Sequence, residues 1–505
     1  MSLDALRREI GAVNDLLCAA SLLVWDSRTM MPPGAVKARG HQIATLTEEA
    51  RKRLMHKATL HALDKAEAAV QHLNGDEPER REVAAVREAL EFHRRVPADL
   101  IRAKAELRPR ANATWAEARA RSDFALFVPL LAETVDLQRA YADAVGYTEH
   151  PYDALLSLYE PGETVATIQA LFEKLRPALR RIRSAAQAKS EVPAAFLARR
   201  FPAEGQRAFG EAVARRFGYD FERGRLDFTV HPFEISFTRH DVRITMRRAE
   251  SFDPPAIFGA FHEAGHGLYE QNVEPAYTRT ALATDLKLLY AVGGPSFGAH
   301  ESQSRLWENH VGRSRTFWEL HFEELRQTFA PSLDDVDAEA FHGAVTRIRP
   351  SLIRTDADEL TYDLHIMLRV EIEADLIAGR LHVGDIPEAW NAAMERDLEL
   401  SPPDAGSGCL QDIHWSSGMF GSFCTYTIGN VMAAQLFAAV MTNRDQSQAF
   451  AQGDYGPLHL WLKENVWRHG RRFTRDEILL HATGRRLGIE PYLEHLSSRY
   501  AGSAL

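Results

Sequence analysis

The chain has 505 residues, enough for two to four domains or one enzyme-sized unit at roughly 100 to 200 residues per domain. Hydrophobic residues make up 45% and charged residues 26%, which excludes a disordered or collagen-like polypeptide. A net charge of -10 argues against a binder of the nucleic-acid backbone, and three scattered cysteines, Cys18, Cys409 and Cys424, against a disulfide framework or thiolate zinc cluster, so a reducing cytoplasm is expected.

Leu3, Leu6, Ile10, Val13 and Leu17 recur at spacings of three and four and predict an N-terminal helix. Met1 to Glu9 lack the apolar core of a cleaved leader, so none is expected. The same helical rhythm returns at Val165, Ile168, Phe172, Leu175, Leu179 and Ile182. Between about Leu226 and Met246, apolar and polar residues alternate instead, predicting two or three short antiparallel strands. Leu360, Leu364, Leu368, Ile372 and Leu376 mark another helix, for which Gly379 supplies the stop. Ile428 to Met441 is nearly apolar but too short to cross a bilayer, so no membrane span is expected. Breaks at 191–206, 401–408 and 442–457 read as loops within one body, and a single mainly helical domain over 1–505 is expected.

Chemistry enters with His262-Glu263-Ala264-Gly265-His266, in an apolar helical stretch opened by Asp253-Pro254-Pro255. At about 100° per residue the two histidines stand about 40° apart and one turn along the axis, so both imidazoles reach one ion. Glu263 then sits beside the metal without ligating it, placed to take a proton from water in metal-assisted hydrolysis of a carbonyl. A catalytic zinc takes three protein ligands and keeps one position open. The third is expected in His300-Glu301-Ser302-Gln303-Ser304-Arg305-Leu306-Trp307-Glu308-Asn309, which follows the small-residue turn at Gly293 to Ser296 and reads as a helix start. Glu301 is the expected ligand and Glu308, on the same helix, its rival. Such ligands also accept Co2+ or Mn2+.

Other blocks extend the pattern. His231-Pro232-Phe233, Asp241-Val242-Arg243-Ile244-Thr245, the run Ile353-Arg354-Thr355-Asp356-Ala357-Asp358 and Gly408-Cys409-Leu410-Gln411-Asp412-Ile413-His414-Trp415 match HPF, DxRxT, IRxxAD and GxxQDxHW patterns. With Trp25-Asp26, Met31-Pro32-Pro33 and Tyr492-Leu493, nearly the whole chain resembles the thermostable-carboxypeptidase family of zinc metallocarboxypeptidases, peptidase family M32. The resemblance implies a mainly α fold, a helical body split by a deep cleft with a small antiparallel sheet next to the zinc helix. It also implies one zinc per chain, release of single residues from peptide C-termini with broad specificity and poor acceptance of proline, and a homodimer. Two departures stand out. The stretch from His266 to Glu301 is longer than the family's, with the surplus around Tyr277 to Leu289, and Ser422-Phe423-Cys424-Thr425-Tyr426 replaces an aromatic-Phe-Pro-Thr-Tyr run.

Amide hydrolysis needs a donor to the oxyanion besides the metal, and His414 and Tyr426 are the candidates on the matching segment. A free α-carboxylate suits a guanidinium, and Arg243 and Arg354 occupy the matching motifs, with His231, Asp241 and Gln411 as further candidate substrate-binding residues. Arg354 could instead pair with Asp358 one turn along. Asp358, Tyr362, His365 and Arg369 form a polar stripe that reads either as a cleft lining or as a satisfied buried network. The leading expectation is a cytoplasmic zinc carboxypeptidase acting on peptides with a free C-terminal carboxylate, with no nucleic-acid or membrane partner. An oligo- or endopeptidase on the same scaffold, or a non-catalytic peptide-binding scaffold, are the alternatives.

Overall fold

Each apolar stripe read from the sequence turns inward on a helix. In the computed structural model, which describes residues 2–187 and 192–502, the N-terminal helix Ser2–Thr29 buries Leu6, Ile10, Val13 and Leu17. The helix Val165–Gln187 buries all six residues of its stripe, and Tyr362–Ile377 ends at Ala378 with Gly379 in the left-handed region at φ 74°. Helices account for 67% of the structure, so the fold is mainly α.

By its internal contacts the chain forms two compact units, each built from separate segments. The first comprises Met1–His93, Val192–Val345 and Gly429–Gly488 and holds the sheet, β1 (Gly224–Thr229), β2 (Glu234–Thr238) and β3 (Asp241–Arg247). The strand order is β1-β3-β2, with β2 antiparallel and β1 parallel to β3, so the sheet is mixed where antiparallel pairing throughout was expected. The reason is topological. Directions alternate along the chain, and β3 returns between the other two, so it meets β1 running the same way. Thr245 Oγ1 accepts from Phe233 N at 2.8 Å and donates to Phe233 O at 2.9 Å, tying the HPF block to the DxRxT strand.

The buried side of β3, Val242, Ile244 and Met246, faces the helix Pro254–Gln271 in a core rich in Phe and Trp. A second core gathers around Ser2–Thr29 and takes in Ala281, Leu286 and Ala291 from the segment between His266 and Glu301. Asn14 Nδ2 secures that segment, donating to Thr284 Oγ1 at 2.9 Å and Ala291 O at 2.7 Å.

The second unit comprises Arg94–Glu191, Thr346–Ile428 and Ile489–Leu505. Buried Glu373 ties two of its segments together, accepting from Tyr152 Oη, Trp415 Nε1 and Gly421 N.

Three local readings change. The break at 442–457 contains the helix Arg444–Ala451, because Asn443 Oδ1 caps its first N–H groups. The helix Ala203–Phe217 starts inside the break at 191–206, whose first residue, Glu191, lies outside the described residues. The stretch Ile428 to Met441 belongs to an 18-residue helix, Cys424–Met441, long and apolar enough to cross a membrane, with 72% of it buried.

Candidate metal centre and substrate residues

Pro254 and Pro255 open the helix that carries the HExxH residues, while Asp253 pairs with Arg247 at 3.5 Å rather than capping through its side chain. Ser296 caps the next site helix, Phe297–Arg305, accepting from Ala299 N at 3.0 Å. Two glycines let the elements close up. A Cβ on Gly265 would stand 2.5 Å from Gln303 O, and one on Gly429 would stand 2.6 Å from Glu301 Cγ. Glycine at both positions therefore allows the approach that brings Glu301 to the histidines.

His262, His266 and Glu301 each offer a ligand atom, and all three atoms lie within 4.8 Å of one another. Glu301 Oε2 is 3.5 Å from His262 Nε2 and 3.3 Å from His266 Nε2, while Oε1 accepts from Arg305 Nε at 2.7 Å. Two imidazoles and one carboxylate are a donor set that fits zinc and neighbouring divalent ions with a position left open. Glu308 is not the converging carboxylate. Its Oε2 accepts from His262 Nδ1 at 2.9 Å, and Arg313 Nη2 holds its Oε1 at 2.9 Å. That bond turns the other ring nitrogen of His262, Nε2, toward Glu301. Beyond Arg305 the helix widens to π geometry over Leu306–Gly312, which carries Glu308.

Burial lowers the proton affinity of His262, but Glu301 and Glu308 outweigh it and raise its pKa to about 10. The negative field that holds a proton there equally favours a cation. Burial drives His266 down to about 3, leaving a neutral imidazole. Glu263 is 6% exposed, and burial pushes it up to about 8 against the opposing pull of His262. A dication nearby would favour its carboxylate form, the form that accepts a proton.

Arg243, on β3, is clamped by Asp241, with Nε to Oδ1 at 2.9 Å and Nη2 to Oδ2 at 3.0 Å, and its guanidinium lies 4.4 Å from the Trp25 ring and 4.9 Å from Phe237. His231 is exposed just before β2.

In the second unit Arg354 pairs with Asp412 through Nε and Nη2 and with Tyr362 Oη through Nη1 at 2.9 Å. Its partner is thus Asp412, while Asp358 caps the next turn, accepting from Leu360 N and Thr361 N. Five N–H groups less three bonds leave Arg354 donors to spare. Gln411 Oε1 accepts from Arg354 N and Arg369 Nη2, and its Nε2 donates to the carbonyls of Leu352, Ser407 and Gly408, so the side chain brackets the loop. Of the polar stripe, His365 and Arg369 are fully buried. His414 Nε2 lies 3.3 Å from Tyr426 Oη, and its buried Nδ1 makes no hydrogen bond among the described residues but stands 3.9 Å from Asp412 Oδ1. Burial lowers the His414 pKa to about 4, so the ring is neutral.

Residues 5–500 match the family model described as carboxypeptidase Taq (M32) metallopeptidase. The chain belongs to the M32 family. It is therefore an enzyme, a metallocarboxypeptidase that works with a divalent metal on peptides. It is 37% identical over 498 residues to thermostable carboxypeptidase 1 of Thermus thermophilus, with 96% of each chain covered. It is 34% identical over 485 residues to carboxypeptidase 1 of Bacillus subtilis, covering 96% of this chain and 95% of that one. A crystal structure of the M32 carboxypeptidase of Deinococcus radiodurans superposes with a TM-score of 0.93 at 40% identity, covering 99% of this chain and 98% of the other.

In and beside the motifs of this M32 chain stand residues whose contacts pattern reading missed. Glu308 steadies a histidine, Gly429 seats Glu301, and Glu270 bonds His300 at 2.8 Å. Only Glu308 carried a sequence signal, its position two turns along from Glu301.

Proposed function

We propose that this chain is a cytoplasmic, homodimeric zinc carboxypeptidase, one ion per chain, working as a single catalytic domain and releasing single C-terminal residues with broad specificity. The carrying observation is the convergence of His262, His266 and Glu301 within 4.8 Å on elements that also present buried Glu263. A divalent ion held there supplies Lewis acidity to a water and to the scissile carbonyl. Glu263 accepts the proton of the attacking water and returns it to the leaving amine. His414, neutral through burial, donates to the oxyanion, and Tyr426 is the second donor. Arg354 and Arg243 take the terminal carboxylate, Asp241 and Gln411 act through the arginines and the loop they hold, and His231 is a further substrate-binding residue.

Metal analysis combined with hydrolysis of paired peptides tests the reading. The purified protein is expected to hold one zinc and to shorten free-acid peptides one residue at a time, leaving their C-terminally amidated counterparts intact. Rapid internal cleavage of amidated peptides would favour the endopeptidase alternative. A protein that binds zinc and hydrolyses neither form would be a binding scaffold.

A further inference from the structure

His266 does not meet a carboxylate with its second ring nitrogen. Its Nδ1 lies 2.6 Å from Nδ1 of His300, and His300 Nε2 lies 2.8 Å from Glu270 Oε1. The two rings are 21° from coplanar with centroids 4.7 Å apart, so they meet edge to edge, as an in-plane hydrogen bond requires. Two facing nitrogens at that separation share one proton, because two N–H groups would clash and two lone pairs would repel.

The direction of the chain then follows. His266 Nε2 faces Glu301 Oε2, where a ligand needs its lone pair, so the proton of a neutral His266 sits on Nδ1. His300 must accept that proton at its own Nδ1. A ring that accepts at Nδ1 carries its one proton on Nε2, and His300 Nε2 lies 2.8 Å from Oε1 of Glu270, whose side chain is 4% exposed. His300 is held in this pose. The Tyr269 ring lies 5.0 Å from it, Tyr269 Oη donates to Gly470 O, and a Cβ on Gly294 would come within 3.5 Å of His300 Cδ2.

We infer that His300 and Glu270 are positioning residues, a two-membered relay that fixes His266 in the tautomer that presents Nε2 to the metal. This rests on the metal reading above and adds an asymmetry. His262 is oriented by a carboxylate directly, through Glu308, whereas His266 is oriented by one at a distance, through a second imidazole.

Zinc affinity, measured by competition with a chromogenic chelator, tests the relay in the full-length protein. His300→Phe keeps an aromatic ring against Tyr269 and removes both nitrogens, and it is expected to raise the zinc Kd by about tenfold to a hundredfold. His300→Gln can accept at its amide oxygen and donate at its nitrogen in the same order, and should recover most of that loss. Wild-type affinity in His300→Phe overturns the relay, as does a His300→Gln variant no tighter than His300→Phe. If His300→Phe does not fold, the wild-type zinc protein labelled with 15N at histidine decides through its long-range couplings. His266 should carry its proton on Nδ1 and His300 on Nε2, and the reverse assignment overturns the inference. A wild-type protein that binds no divalent ion would sink the metal reading itself, a different outcome from either.

Discussion

Gly265 and Gln303 touch through backbone: a Cβ on the glycine would stand 2.5 Å from the Gln303 carbonyl oxygen and 2.6 Å from Ser304 Cα. Neither atom belongs to a side chain that can swing away. Gly265→Ala should therefore push the Glu301 helix outward, costing about 1–3 kcal/mol and weakening zinc binding. Gly259→Ala on the same helix is the control, since the nearest atom to its Cβ would be Pro232 Cγ at an ordinary 3.5 Å. Thermal unfolding and zinc titration of both variants check this. If the two behave alike, the close approach does not govern the site.

Alanine at His262, His266 or Glu301 should abolish stoichiometric zinc, because each removes one of three donors. Glu308→Ala should still bind zinc, about tenfold to a hundredfold more weakly, since it loses only the partner of His262 Nδ1. Metal content after dialysis against a weak chelator separates the two classes. Full occupancy in Glu301→Ala with none in Glu308→Ala would reverse their roles.

Glu263→Gln should keep zinc and fold while turnover falls at least about a hundredfold, since an amide cannot accept the water's proton. Unchanged kcat in zinc-replete Glu263→Gln would falsify the assignment of the base.

The arginines should separate by their surroundings. Arg354→Ala is expected to lower kcat/KM for free-acid peptides by about tenfold to a thousandfold with zinc content unchanged. Arg243→Ala should share that loss at a smaller cost in stability, because its partner Asp241 is half-exposed, whereas Arg354→Ala also takes one of two guanidinium partners from buried Asp412 and should destabilise the protein by about 3–5 kcal/mol. Steady-state kinetics and denaturant unfolding on both variants measure the difference.

Asp412 provides a pH dependence. Burial raises its pKa, but Arg354 and Arg369 more than offset this and hold the carboxyl well below its usual range. A depressed folded-state pKa contributes stability that is present above the unfolded value of about 4 and lost as pH falls towards the folded one. Asp412→Asn should thus cost about 3–5 kcal/mol at pH 7, since it leaves buried guanidinium groups uncompensated. The gap from wild type should shrink when unfolding is repeated below pH 4. A gap that widens there would show that the ion pairs do not supply the stability.

Helices were legible where burial repeats at 3.6 residues, as in Val165 to Ile182, because a single helix face decides the pattern. Strand direction was not, since the parallel pairing of Leu226 with Ile244 depends on where β3 inserts, and alternation carries no such information. The HExxH pair and Glu301 could be read from spacing on helices. What Glu308 and His300 do could not, because each depends on which nitrogen of a ligand histidine faces which helix. The arginine partners were equally hidden. Asp412 is 58 residues from Arg354, whereas Asp241, two positions from Arg243, was in plain view.

Gly429, which seats Glu301, and Trp467, which donates to Gln303 Oε1 at 2.9 Å, both come from the last of the three segments of the first unit. The proposed ligands, His262, His266 and Glu301, are all made by position 301. During synthesis they must wait for more than 160 further residues before the pocket walls exist. Long-range closure of this kind is slow and cannot begin locally. On the proposed reading, capture of the divalent ion in its final geometry is accordingly a late event in the life of the nascent chain, and a polypeptide released before Trp467 would carry the three proposed ligands without the packing that holds them together.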